Sequence, residues 1–308
     1  MKKLKKLMLS LLVLLIVLSA VLLILYKTGI YRFNFVKEIY KKIDFNLDSK
    51  ELKIPQDALS FSVFDIDKKE YLFYEGEGQL PTVASLTKLF DIEYAITKVN
   101  LDEIVEVNQE LLDLVPKGSS LANLRPGKYS AKQIMQAMLV PSGNDAAYAL
   151  AYHVGKKGLG KGYSTKEYLS YFTKGLNEFI KKQGYSKTKL YDPSGFSIQA
   201  YTNLDDINKV TLKLLEYDFI KECIGKSEFT IQTPQGDFTW KNSNKFLDKK
   251  SAFYNKNVKG VKTGTMADSY SIVVLYEKNG KNYLITCLAS HYDEDRYKAV
   301  KAAIDKML

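Results

Sequence analysis

The stretch Ala84-Ser85-Leu86-Thr87-Lys88-Leu89-Phe90 constrains this chain most, because it sets a serine and a lysine three residues apart at the head of an apolar run. Positions i and i+3 share a helix face, so a helix opening here brings Ser85 Oγ and Lys88 Nζ together. A serine hydroxyl becomes a useful nucleophile when a base takes its proton. A lysine partly buried beside other cations gives up its own proton more readily and can be that base. At a helix start the Ser85 N–H also lacks an intrahelical partner, which leaves it free to stabilise an oxyanion. The spacing alone says little. Ser186-Lys187-Thr188-Lys189 repeats it in a lysine-rich segment with no apolar helix behind it.

Around that stretch the chain reads in a definite order. Residues 1–6 are a basic, cytoplasmic segment, and Leu7–Tyr26 is an apolar run interrupted only by Ser10, Ser19 and Tyr26. A run of that length spans a bilayer core as a helix, at about 1.5 Å per residue. It ends in neither an A-x-A step nor a lipobox cysteine. The reading is therefore an uncleaved signal anchor over 7–26, single-pass, with the following chain outside the cytoplasm; a cleaved signal peptide is the alternative. Residues 27–57 mix lysines with Tyr31, Phe33, Phe35 and Tyr40 and read as a juxtamembrane stalk. The formal net charge is +10, and Lys2, Lys3, Lys5 and Lys6 supply four of it, leaving +6 for the remainder. That excess suits an anionic surface but is not interleaved with aromatics as nucleic-acid binding would require. Cys223 and Cys287 are far apart, and His153 and His291 stand alone, so no metal site and no cofactor are expected. Cys287 lies in an apolar run and reads as a buried thiol; a Cys223–Cys287 disulfide is the other possibility for an exported chain.

From residue 58 onward the periodicities describe one domain. Leu59–Ile66 and Tyr71–Tyr74 read as a hairpin across Asp67-Lys68-Lys69. Ser130 with Gln133 predicts a capping box, opening a helix that Pro141 ends. A second helix is expected from near Asp145 to Gly155, leaving Ser142-Gly143-Asn144 on a tight connection. Tyr168–Lys182 reads as helix, Asp192-Pro193-Ser194-Gly195 as a turn, and Thr202 with Asp205 as the cap of a helix through Leu214. The end is β again: Val258–Thr265, then Tyr270–Tyr276 and Tyr283–Ser290 flanking Asn279-Gly280, with Asp293 capping a closing helix. The fold class is α+β: one antiparallel sheet formed by N- and C-terminal strands, with a helical region inserted.

Three elements then stand in order: Ser85-x-x-Lys88, Ser142-Gly143-Asn144 and Lys262-Thr263-Gly264. A nucleophile, a base, a hydroxyl with an amide, and a second cation are what acyl transfer needs. This ordered set occurs in penicillin-binding proteins and class A β-lactamases. Lys27-Thr28-Gly29 also reads K-T-G, but it precedes the serine and abuts the apolar run. The likeness goes further: Pro141 through Ala147, Asp192-Pro193-Ser194-Gly195-Phe196, Asn244-Lys245-Phe246 and Val258 through Thr265 resemble the low-molecular-mass penicillin-binding proteins, the serine D-alanyl-D-alanine carboxypeptidases. It covers roughly Ala58 to Ser290.

The resemblance implies a β-lactamase/transpeptidase-like fold and a set of roles. Ser85 is the acylated nucleophile, Lys88 its general base and Ser142 a proton relay to the leaving amine. Asn144 binds the substrate amide, Lys262 and Thr263 hold the terminal carboxylate, and the N–H groups of Ser85 and Thr265 form the oxyanion hole. Gly264 lets substrate backbone approach the strand. The implied partners are peptidoglycan stem peptides and β-lactam antibiotics as covalent inhibitors; the apolar run 7–26 adds a lipid bilayer, reached through the N-terminal helix. One departure is Met266-Ala267-Asp268-Ser269-Tyr270, shorter than the family's usual step and without its glycine. Two other readings stay open: a class A-like β-lactamase with Glu167 or Glu178 activating water, and a non-catalytic wall-binding or β-lactam-sensing protein.

Overall fold

Alternating and β-branched runs near both ends of the domain pair into one antiparallel sheet of five strands. Its members are β1 (Ser60–Asp65), β2 (Glu70–Glu75), β7 (Val258–Met266), β8 (Ser269–Lys278) and β9 (Lys281–Ser290), in the order β2-β1-β9-β8-β7. These belong to a computed structural model that describes residues 58–308. The basic segment, the apolar run 7–26 and the stalk 27–57 lie outside the described residues.

The join between the two ends is β1 on β9, with Phe61 opposite Cys287 and Val63 opposite Ile285. Five of the six β1 residues are buried, as expected for an inner strand covered on both faces. The expected Asn279-Gly280 hairpin is present, with Lys278 opposite Lys281 and both turn residues at positive φ, 55° and 73°. Those values suit a type I′ turn, whose twist matches that of the strands. The β7–β8 connection is equally tight, with Met266 opposite Ser269 and Ala267 at φ 50° where the sequence lacks a glycine.

Between β2 and β7 the chain is mainly helical. A 3-10 turn, Ala84–Leu86, leads into α1 (Thr87–Ile96), followed by β3 (Ile104–Val107), α2 (Gln109–Asp113) and β4 (Gly127–Ser130). Then come α3 (Ala131–Leu139), α4 (Asn144–Leu159), α5 (Thr165–Lys182), α6 (Leu204–Leu214) and α7 (Asp218–Ile224). Strands β5 (Glu228–Ile231) and β6 (Phe238–Lys241) precede the return to the sheet, and α8 (Asp293–Met307) closes on β8 and β9. The helices bury Leu89, Phe90, Ile134, Met138, Leu150, Phe172, Leu176 and Val210 together. Among the described residues no helix is long and apolar enough to cross a membrane.

Several expectations shift. The Ser130–Gln133 capping box forms as read. The α6 cap is Asn203, which accepts from Asp206 N, while Thr202 is buried and bonded to Thr188. Asp293 is the first residue of α8 rather than its cap, because its carboxylate is taken by Lys245 and Arg296. Cys223 and Cys287 are both free and buried, on α7 and β9, so no disulfide joins them. Burial pushes both thiols up to about 12. The hairpins β3–β4 and β5–β6 went unread, since four-residue strands carry too little periodicity to stand out.

Candidate active site

Ser85 sits in the middle of the 3-10 turn, not in the first turn of an α-helix, and α1 begins two residues later at Thr87. Ala84 before it has φ 49°, a left-handed conformation that costs a non-glycine residue about 1 kcal/mol or more and so needs surrounding structure to hold it. Two glycines supply that structure. Gly195, at φ 76°, lies so close that a Cβ there would overlap the Ala84 carbonyl and approach Thr87 Oγ1 to 2.7 Å. Gly264 on β7 passes beside Leu86 and the Val83 carbonyl, where a Cβ would come to 3.3 and 3.4 Å. So Gly264 gives room to the nucleophile's own turn.

The expected Ser85–Lys88 contact forms. Lys88 is 0% exposed, and its Nζ donates to Ser85 Oγ at 3.0 Å, Asn144 Oδ1 at 2.7 Å and the Ser194 carbonyl at 3.0 Å. Three acceptors match the three protons of an ammonium. As a free base the same nitrogen keeps two N–H bonds, to Asn144 and Ser194, and turns its lone pair to Ser85. Burial lowers Lys88 to about 8, against the opposing pull of Asp91, Asp192 and Asp145.

The second motif sits on the α3–α4 connection. Ser142, 4% exposed, has φ 65°, and its hydroxyl has no partner among the described residues. Asn144 opens α4, its N–H bonded to the Ser120 carbonyl at 2.8 Å. Asp145 locks the overlying loop, accepting from Ala122 N at 2.8 Å and Leu124 N at 2.9 Å, and Trp240 Nε1 donates to the Ala122 carbonyl at 2.8 Å.

The third motif lies on β7, the sheet edge beside the 3-10 turn. Lys262 is 1% exposed and donates to the Thr263 carbonyl at 2.8 Å. Burial, followed by Lys88 and Arg296, pulls its pKa well below the ordinary lysine range. Thr263 Oγ1 is 2.6 Å from Ser243 Oγ. Thr265 is exposed at the end of the strand. Arg296 of α8 braces this edge, donating to the Gly264 and Ser271 carbonyls at 2.8 Å each. Ser85, Lys88, Ser142, Asn144, Lys262, Thr263, Gly264 and Thr265 thus come from three distant segments, with Asn144 bonded to Lys88 and Gly264 packed on the nucleophile's turn.

Sequence reasoning missed the Ser194 carbonyl as the third lysine acceptor, and it missed Ser243 and Arg296. The Asp-Pro-Ser-Gly turn was a visible signal for Ser194; no pattern marked Arg296. The competing motif fails on structure. Ser186 lies off any helix, and its neighbours Lys187 and Thr188 are tied to Asp206. Glu167 is spent closing a capping box on Ser164 N and Oγ, both at 2.7 Å, and Glu178 stands on α5 beside Lys174 and Phe179. Among the described residues no group of three or more His, Cys, Asp or Glu could hold a metal ion.

Comparison with known proteins places the chain in a family. A sequence model of the D-alanyl-D-alanine carboxypeptidase family of peptidases matches residues 53–289. The chain is 23% identical over 288 residues to the D-alanyl-D-alanine carboxypeptidase DacF of Bacillus subtilis, covering 91% of this chain and 68% of that one. It is 25% identical over 264 residues to the D-alanyl-D-alanine endopeptidase of Haemophilus influenzae, covering 81% of each. Its fold is that of the Streptomyces K15 DD-transpeptidase crystal structure, with a TM-score of 0.70 at 23% identity, over 81% of this chain and 96% of that one. The chain belongs to the D-alanyl-D-alanine carboxypeptidase family and is a serine-type peptidase of that family.

Gly195→Ala tests how tightly the site is braced. A Cβ there forces the turn off Ala84 and draws the Ser194 carbonyl from Lys88. D-alanine release should fall at least tenfold while the midpoint of thermal unfolding drops only a few degrees. Unchanged activity would show that the turn adapts freely.

Proposed function

We propose that this chain removes the terminal D-alanine from peptidoglycan stem peptides through an acyl-enzyme on Ser85. The observation that carries this is the Lys88–Ser85 contact at 3.0 Å, with the same lysine held by Asn144 and Ser194. Lys88 as free base takes the Ser85 proton, and Ser85 Oγ bonds to the carbonyl carbon of the penultimate residue. The N–H groups of Ser85 and Thr265 receive the oxyanion. As the peptide C–N bond breaks, the proton passes from Lys88 through Ser142 to the departing amine. Water then cleaves the ester, and its proton returns through the same base.

Lys262 and Thr263 take the substrate's terminal carboxylate. A buried lysine beside other cations lacks a counter-charge, and an incoming carboxylate supplies it. The β7 edge away from β8 is open to substrate backbone as an added strand. A β-lactam presents a similar carboxylate and a strained carbonyl, and its opened ring stays tethered where water must approach. Glu167, already used as a cap, does not provide the carboxylate that rapid release would need. The run 7–26, with lysines before it, serves in this reading as a bilayer anchor that keeps the domain at the outer membrane face.

Four measurements check these assignments. Incubating the protein with a diacyl-Lys-D-Ala-D-Ala peptide should release D-alanine, and Ser85→Ala should cut the rate by at least about 10³-fold. Labelled penicillin should stay on the Ser85 peptide far longer than one peptide turnover. An active Ser85→Ala enzyme counts against the acyl-enzyme reading, and rapid penicillin turnover would make the chain a β-lactamase instead. Lys262→Ala should cost about 2–5 kcal/mol in acylation by the free-acid peptide and far less with its C-terminal amide; equal losses would end the clamp assignment. Finally, the protein should remain with membranes through high-salt washing, since salt strips electrostatic attachment but not a spanning helix. A form without residues 1–26 in the medium would mean a cleaved signal instead.

A further inference from the structure

Asp91 interrupts the apolar stretch Leu89-Phe90-Asp91-Ile92 of α1, where every neighbour is buried. It follows Lys88 by three residues, so both side chains leave one face of the helix, one turn apart. Each is 0% exposed, and neither Asp91 oxygen meets a hydrogen-bond donor among the described residues. The other two acids that act on Lys88 are occupied. Asp192 accepts from Ser194 N and Oγ, Phe196 N and Ser197 N; Asp145 accepts from Ala122 N, Leu124 N and Ala146 N. Those donors satisfy both side chains locally. Lys262 supplies the contrast. It is as buried as Lys88, only cations act on it, and it falls well below the ordinary lysine range, whereas Lys88 falls only to about 8.

We infer that Asp91 is a positioning residue for the acylation step: as a counter-charge one helical turn from Lys88, it keeps that lysine basic enough to take the Ser85 proton. The inference rests on the reading of Lys88 as the base. The pair titrates as a unit. Burial raises the Asp91 carboxyl well above the ordinary carboxylate range, against the opposing pull of the Lys88 ammonium; where substitution removes that ammonium, burial and Asp192 act together to favour the neutral acid. The titratable groups facing the pair are Asp145 on α4, Asp192 in the turn and Lys262 on β7; Tyr148, beside Ser194, stays neutral with its phenol pushed up to about 12. Asp145 and Asp192 remain when Asp91 is replaced, so a change in the pH profile reports on Asp91 alone.

The test is the pH dependence of Ser85 acylation by a chromogenic β-lactam in the full chain. In Asp91→Asn the base loses its counter-charge, its pKa falls, and the free base persists to lower pH. The acid limb should therefore move down by at least one pH unit, and the alkaline plateau should drop about tenfold because a weaker base accepts the proton. An unshifted limb overturns the inference; if the amide is not tolerated, Asp91→Thr is read the same way. The reciprocal measurement uses infrared spectroscopy at pH 7. Lys88→Met should show a protonated carboxylic-acid band that disappears in the Lys88→Met, Asp91→Asn double variant. No such band means the two groups are uncoupled. Normal acylation by Lys88→Met would instead refute the base assignment, while the infrared band would still report on the coupling itself.

Discussion

A lysine fully withdrawn from water is the interaction on which the rest of this structure depends. Its ammonium needs three acceptors, and they come from the nucleophile's turn, from α4 and from the 192–195 turn, up to 106 residues away in sequence. Satisfying one side chain therefore fixes three chain segments against each other. Because an unsatisfied buried ammonium costs far more than one hydrogen bond returns, none of the three can drift without penalty.

The fold serves this requirement by bringing unlike layers to one seam. The helical region carries Ser85, Lys88, Ser142 and Asn144, on its helices and the turns that lead into them, while the sheet brings Lys262 to Thr265 along its edge. At the seam there is no room for side chains: Gly195 packs on Ala84 and Gly264 on Leu86. Strain collects at the same place, with Ala84 and Ser142 both left-handed without being glycine. Outside the seam, locks of ordinary kind hold its parts: Asp145 and Trp240 on the 120–124 loop, and Arg296 on the sheet edge. Electrostatics then differentiate two equally buried lysines, since one has acids around it and the other does not.

How much of this could be read beforehand depended on whether the signal was local. The β1–β2 hairpin, the Ser130 capping box, the Asn279-Gly280 turn and the α5 and α6 periodicities were legible, because each is a contact between residues a few positions apart. Caps were legible as regions and misassigned by a residue: Thr202 against Asn203, and Asp293 drawn instead to Arg296. The pairing of β1 with β9 was readable only as a pattern of strands at both ends. Ser85 was expected to open an α-helix, and it sits instead in a 3-10 turn against which Gly195 and Gly264 pack closely.

The sequence by itself determined the composition of the site: a serine, two lysines, a hydroxyl and an amide, in an order and spacing that already implied acyl transfer. It did so because those residue types carry their chemistry wherever they stand. Tertiary structure decided everything that depends on burial and on distance through space. It left Cys223 and Cys287 unjoined, spent Glu167 on a cap, recruited the Ser194 carbonyl and Arg296, and buried Asp91 with no hydrogen-bond donor on its carboxyl. The physical reason is that desolvation and long-range pairing are properties of the packed chain, with no counterpart in any local run of residues.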